Sequence, residues 1–397
     1  MNMRKTILLF SIFLTIAGWG CQSEEDISYT RVELKLSTSK DITVSKWTSL
    51  VYTFTNKGSG RVSTLERENQ SMLTHQLEEG VYDIMVSGTM KVVKEGKTFT
   101  GNFSALKQSV SLIGQELVPV QLTMALKPEA SPLVFEEIYI SGSRTAANKT
   151  FRGDQFFVIR NNSDETQNIQ GLAIGETSQT NSKTDDLWEK VTDGVVVQTV
   201  YTVPFGGTKT SLKPGESLVI AKYPVEMNRD DRYGNAASPV KSLASADFQW
   251  YDDYKGLDID VPEVPNLIKY YSYSPSIWVA SVAGNRGYVL FRVDNTAPDA
   301  FASSYQVERV SASGRKMIRV KVPYDRVFDA VELSTPSKKV FSVFPSFLET
   351  SSAEFTGPYS GRGVRRKADS NGKLIDTNNS ASDFDANVLP AQYPGKK

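Results

Sequence analysis

Two residue types that carry much of enzyme chemistry are nearly missing from this chain. Its 397 residues include one cysteine, Cys21, and one histidine, His75. A zinc site normally needs three or four His, Cys or carboxylate ligands, so the usual ligand sets are out of reach. A Ser-His-Asp triad would have to run through His75, and no G-x-S-x-G surrounds any serine. His75 lies in Met72-Leu73-Thr74-His75-Gln76-Leu77 and reads as a strand residue, in the core or on the surface. Phosphate-binding and dinucleotide fingerprints are absent. Carboxylate chemistry and calcium remain. Asp258-Ile259-Asp260 with Glu263 offers several hard oxygens, without the glycine and glutamate spacing of an EF-hand loop. Paired acids also suit glycoside hydrolysis, but only at a separation that sequence does not set.

The same stretch holds the densest group of aromatics. Residues 223–282 contain Phe248, Trp250, Tyr251, Tyr254, Tyr270, Tyr271, Tyr273 and Trp278. A connection much longer than ~15 residues is usually functional or disordered, and so aromatic a composition argues against disorder. Aromatic rings favour interfaces and sugar faces. Trp250, Tyr251, Tyr254, Tyr270, Tyr271, Tyr273 and Trp278 are therefore candidate binding residues. The alternative is that they cap the open end of a sandwich.

Cys21 closes a different pattern. Arg4 and Lys5 precede an apolar run from Thr6 to Trp19, which ends at Gly18-Trp19-Gly20-Cys21. The run is short of the ~20 residues that span a bilayer and has a signal peptide's flanks. It resembles the bacterial lipoprotein signal, with Trp19 a loose fit to the lipobox. The resemblance implies cleavage after residue 20 and lipidation of Cys21, and two or more acyl chains anchor stably. Ser23, Glu24, Glu25 and Asp26 follow, an acidic run that keeps a tether extended. The run also resembles the surface-export signal of Bacteroidota lipoproteins, which implies the extracellular side of the outer membrane.

The mature chain of about 377 residues suits two or three domains. Removing Arg4 and Lys5 leaves 43 basic against 45 acidic residues, a net charge of −2. Such a balance offers no electrostatic footprint for nucleic acid. With Cys21 consumed, no disulfide can form, so stability must come from hydrophobic cores.

These candidates need strands to position them. Val32-Glu33-Leu34-Lys35-Leu36 alternates with period two, as does Leu50 to Thr55, which sets Tyr52 and Phe54 on one face before an Asn56-Lys57-Gly58 turn. Regularly spaced strands over 28–127 predict a β-sandwich. Its segment "LEEGVYDIMVSG" resembles the hairpin of transthyretin-like and carboxypeptidase regulatory-like modules. Pro128 and Pro132 bracket a connector over 128–132. From Leu133 the order "FEEIYISG", "DQFFVIRNNSDETQNIQGLAI", "LKPGESLVIA", "VFDAVEL" and "GRGVRRKADSNGKLIDTNNSASDF" resembles the lamin-tail domain, an Ig-like sandwich. The glutamate usual in that family's second strand is replaced around Val158 to Arg160. The resemblance implies an all-β second domain over 133–390, with 223–282 as an insertion and 391–397 as a tail. It also implies that an arginine of the cluster Arg362, Arg365, Arg366 and Lys367 sits inside the closing turn. A phosphate or nucleic-acid role for that cluster is blunted by Asp369 and Asp376 and lacks a stacking platform.

The expectation is thus an all-β chain of two tandem Ig-like β-sandwiches without catalytic groups or a required cofactor, tethered to the membrane through Cys21. It would act as a binding or accessory lipoprotein, partnered with an outer-membrane barrel or TonB-dependent uptake system. The combination resembles a group of uncharacterised Bacteroidota lipoproteins. The alternatives are a module that captures glycan directly and a carboxylate-based hydrolase.

Overall fold

A computed structural model of the chain describes residues 27–40, 42–94, 97–127, 131–183, 187–191, 194–310, 314–335, 339–345 and 348–392. Expectations for the signal segment, for Cys21, and for Ser23, Glu24, Glu25 and Asp26 fall outside those residues, as do 128–130 of the connector and 393–397 of the tail. The chain is all-β, as expected.

The first domain has seven strands: β1 (Tyr29–Thr38), β2 (Ile42–Asn56), β3 (Val62–Arg67), β4 (Met72–Glu78), β5 (Val81–Lys94), β6 (Lys97–Ser111) and β7 (Leu117–Lys127). Their order is β3-β2-β5-β6-β7-β1-β4. The link between β6 and β7 is brief, Asn102–Ser104 against Ala125–Lys127, so two sheets meet at a corner and fold over one core. One face of each sheet is solvated, which is why the alternation is legible. Val32, Leu34 and Leu36 point inward from β1, and Leu50, Tyr52 and Phe54 from β2. His75 sits on β4, partly buried, with its ring 5.1 Å from Phe54.

The second domain opens with β8 (Leu133–Tyr139), a ribbon of β9 (Ser143–Arg144) and β10 (Thr150–Phe151), then β11 (Phe156–Asn161), β12 (Gln167–Asn168), β13 (Leu172–Thr177), β14 (Gly194–Thr202), β15 (Ser211–Leu212) and β16 (Ser217–Ala221). It continues through β17 (Phe248–Gln249), β18 (Ile268–Ser272), β19 (Gly287–Arg292), α1 (Pro298–Tyr305), β20 (Gln306–Val310), β21 (Lys316–Pro323), β22 (Val327–Ser334), β23 (Ala353–Glu354), β24 (Gly363–Arg366), α2 (Ser380–Asp383) and β25 (Phe384–Val388). One sheet runs β17-β16-β11-β8-β24-β25, and the other β20-β21-β14-β13-β19-β22-β23, with β18 added against β14. The expected Pro214-Gly215 turn precedes β16, with Gly215 at a φ of 72° that favours glycine.

Between the sheets pack Phe157, Ile159, Leu218 and Ile220 from one side and Leu172, Ile174, Tyr201 and Leu290 from the other. Both sheets are covered outside as well. Phe156, Val158, Val219 and Ala221 lie under Met227, Val240, Leu243 and Ala246 of the insertion. The outer face of the second sheet, with Val197, Val289 and Val320, packs against Phe301 of α1 and Phe344. Strands covered on both faces read as continuous apolar runs such as Val195-Val196-Val197.

The insertion is thus a structural part of the domain. Residues 223–246 supply an outer layer, β17 extends one sheet in parallel to β16, and β18 extends the other. Phe248, Trp250, Leu267 and Trp278 enter the main core. Asp154 fastens the outer layer. It is fully buried and accepts from Ser143 at 2.5 Å, Ser238 at 2.6 Å and Tyr139 at 3.3 Å, while Asn235 donates to Ser143 at 2.7 Å.

Burial pushes the Asp154 carboxyl up to about 6, and hydroxyl donors only partly oppose that. The native state therefore holds this proton above the range where the unfolded chain, at about 3.8, releases it. The stability so gained is complete below about pH 4 and is lost as pH rises through about 6, on the order of 3 kcal/mol. Asp154→Asn removes that contribution. Melting temperatures taken across pH 4–7 should show the parent losing stability relative to Asp154→Asn as pH rises; parallel profiles would contradict the assignment.

Candidate functional site

A cleft of about 650 Å³ opens where the insertion meets the two sheets. Its floor is Glu176 on β13, which is buried. Gln198 Nε2 at 2.7 Å, Ser281 N at 2.8 Å, the Tyr288 hydroxyl at 3.0 Å and Trp278 Nε1 at 3.2 Å all donate to this carboxylate. Four donors offset the cost of burying a charge. The Trp278 bond also helps fix that ring, which is stacked on Tyr201 at 4.8 Å.

Behind one wall lies a buried charge network. Lys222 Nζ donates to Asp258 at 2.6 Å and to the Trp250 carbonyl at 3.2 Å. Asp258 also accepts from Asp252 N at 2.9 Å. Asp252 in turn accepts from Tyr201 at 2.8 Å, Lys269 at 2.7 Å and Trp278 N at 2.7 Å. The acids of the insertion thus tie its loops to β14 and to the end of β16.

The accessible walls carry Tyr223, Tyr254, Leu257 and Tyr273, with Ser272, Ser274 and Ser276 among them. Tyr273 is 51% exposed and Leu257 61%. Tyr223 packs edge-on against Phe151, 6.3 Å between ring centres, and its amide donates to the Gly153 carbonyl at 3.0 Å. Gly153 is required for this approach, because a Cβ there would lie 2.0 Å from the Tyr223 ring. Burial pushes the Tyr223 hydroxyl up to about 12, Asp258 adds to that, and the Arg232 and Arg152 guanidinium groups oppose it. Arg152 and Arg232 stand exposed on the rim, and Arg232 rests 5.2 Å over the Tyr233 ring.

The predicted binding residues divide on this geometry. Tyr254, Tyr273 and Trp278 come together at the cleft. Trp250 and Trp278 are core residues, 0% and 4% exposed, so the expectation that they form an open binding face is corrected: their rings are packed against Phe157 and each other. Tyr270 is likewise buried, its ring 5.5 Å from Phe301 and its hydroxyl donating to the Thr296 carbonyl. Tyr251 and Tyr271 are half-buried, and the Tyr271 hydroxyl donates to the Ile318 carbonyl. The calcium candidates do not converge. Asp258 is bound to Lys222, Asp260 accepts from Gln249 and Asn266, and Glu263 is exposed. Among the described residues no three acidic, His or Cys side chains gather as a metal site.

Glu176, Gln198, Tyr223, Arg152 and Arg232 were not singled out by sequence. They come from segments far apart in the chain, and no local motif marks them. Two members of the arginine cluster, Arg365 and Arg366, lie on β24. Arg365 pairs with Glu137 at 3.1 Å, and Arg366 is buried against Asp329 at 2.6 Å. A second crevice, of about 1140 Å³, lies between the two domains.

Residues 213–391 match the family model described as a protein of unknown function, DUF4876. A crystal structure of a DUF4876 family protein from Bacteroides thetaiotaomicron is 22% identical, with a TM-score of 0.59 over 91% of this chain and 96% of that one. A putative cell adhesion protein from Bacteroides eggerthii is 9% identical over 80% of this chain and 83% of that one, with a TM-score of 0.20. A fimbrial assembly protein from Parabacteroides distasonis is 8% identical over 47% and 85%, with a TM-score of 0.19. No curated protein matches the chain. The chain therefore carries a DUF4876-like segment in its second domain and shares its overall fold with a Bacteroides protein of that family.

Proposed function

We propose that this protein is a lipid-anchored, extracellular-facing outer-membrane protein that captures glycan without catalysis. Cys21 carries the anchor, Ser23 to Asp26 direct export, and the second domain is lamin-tail-like. The observation that supports capture is the cleft. Its volume lies in the range of small-ligand sites, and tyrosine rings and serine hydroxyls share its walls. A concave polar site suits a sugar better than it suits the face of a barrel, so partnership with an outer-membrane uptake system becomes the second reading. A hydrolase is disfavoured because the cleft lining contains one carboxylate, Glu176, already taken by four donors.

Glycan-array binding by the full chain tests capture, with Tyr254→Ala/Tyr273→Ala as the cleft variant. Its affinity should fall about tenfold, at ~0.5–1.5 kcal/mol per ring. Cys21→Ala should release the protein from membranes. A cleft variant that binds the array normally would overturn the site. Co-purification of a barrel undiminished by the same variant, with no array binding, would favour the second reading.

A further inference from the structure

We propose that the cleft recognises an acidic glycan, with Arg152 and Arg232 gripping one anionic group, carboxylate or sulfate, beside the Tyr223 hydroxyl. This rests on the capture reading above and names its ligand class.

The charges on the cleft wall are unbalanced. Arg152, Lys222, Arg232 and Arg286 line it against the one carboxylate of Glu176. Three of these five groups are committed. Glu176 is saturated by its four donors. Lys222 is held by Asp258, and Arg286 donates to the Thr177 and Ser178 carbonyls at 2.7 and 3.0 Å. Arg152 and Arg232 have no carboxylate partner among the described residues; Arg232 makes a 3.4 Å contact to the Gly256 carbonyl. Both their charges act on the Tyr223 hydroxyl, which makes no hydrogen bond among the described residues.

Guanidinium forks match carboxylate and sulfate oxygens in a bidentate way, and such charged bonds are the strong ones. A neutral sugar would leave the forks to water and gain only from the rings. Tyr223 is fixed against Gly153, so its hydroxyl is in place before a ligand arrives. Tyr254 and Tyr273 would receive the faces of adjoining sugar rings.

The test is isothermal titration of the detergent-solubilised full chain with a galacturonate hexamer, a sulfated heparin hexasaccharide and neutral maltohexaose. At least one acidic probe should bind and weaken with added salt. The Arg152→Gln/Arg232→Gln variant should lose about tenfold or more of that affinity, since hydrogen bonds to charged groups are the strongest of their kind. Both arginines are exposed, so its melting curve should match the parent's. Binding of the galacturonate alone assigns carboxylate, and binding of heparin alone assigns sulfate. Equal affinity for maltohexaose, or full affinity in the double variant, would overturn the acidic preference and leave glycan capture standing. Failure of all three sugars would bring down both.

Discussion

Arg366→Met should lower the stability of the second domain by about 3–5 kcal/mol, the cost of leaving a buried charge without its partner. Arg366 is 4% exposed and makes bonds on all three guanidinium nitrogens. Nε donates to the Phe135 carbonyl at 2.8 Å, Nη2 to Asp329 at 2.6 Å, and Nη1 to the Ile375 carbonyl at 3.0 Å and to Asp376 at 3.2 Å. Asp383 lies 3.6 Å away, and the guanidinium rests 4.5 Å over the Phe384 ring. One side chain therefore joins β8, β22, α2 and the closing turn. Lysine offers no fork, so Arg366→Lys should recover little. The pH dependence gives a second readout. Burial pushes the Asp329 carboxyl up to about 7, with Arg366 opposing. Without Arg366 the folded-state value rises further above that of the unfolded chain. The variant then keeps its stability at low pH and loses it as pH rises, so its deficit against the parent widens from mildly acidic to mildly alkaline solution. Urea unfolding at two pH values checks both claims. A deficit under ~1 kcal/mol, or one that shrinks as pH rises, would contradict them.

Trp278→Ala should cost about as much, ~3–5 kcal/mol by the usual range for deleting a buried indole. The ring stacks on Tyr201 at 4.8 Å and lies 5.4 Å from Trp250 and 6.4 Å from Phe157. Its Nε1 is one of four donors to Glu176. Truncation leaves a cavity and removes a donor from a buried carboxylate, two penalties at one position. For a domain of this size the melting temperature should fall by roughly 10 °C. Trp278→Phe keeps most of the stacking and should fall less. Trp278→Ala is accordingly a poor probe of binding, because lost structure would pass for lost affinity; Tyr273→Ala is the cleaner choice. Parent-like melting by Trp278→Ala would mean that the aromatic cluster does not centre the core.

The first domain was legible because its strands are wetted on one face. Val32, Leu34 and Leu36 alternate with polar neighbours, and the chain bends at Gly80 as the glycine suggests, but no hairpin forms there: β4 pairs with β1, and β5 pairs with β2 and β6. The second domain resisted the same reading where both faces are covered. In β14 every residue is buried, so Val195 to Val197 show no period that would mark a strand. The aromatics of 223–282 were found, but composition does not separate a core from an interface, since both favour buried rings. The cleft was beyond sequence for another reason. Gly153 and Tyr223 meet because β11 pairs with β16, and that long-range register brings Arg152 beside residues of the insertion.

The insertion is stitched to both sheets, through β17 on one side and β18 on the other. A segment fastened at both margins behaves as a socket and not as a flap. Under the capture reading, a guest would find walls already standing and freeze little chain on arrival, so arrival should be simple and quick. Discrimination among guests would then reside in how long each one stays.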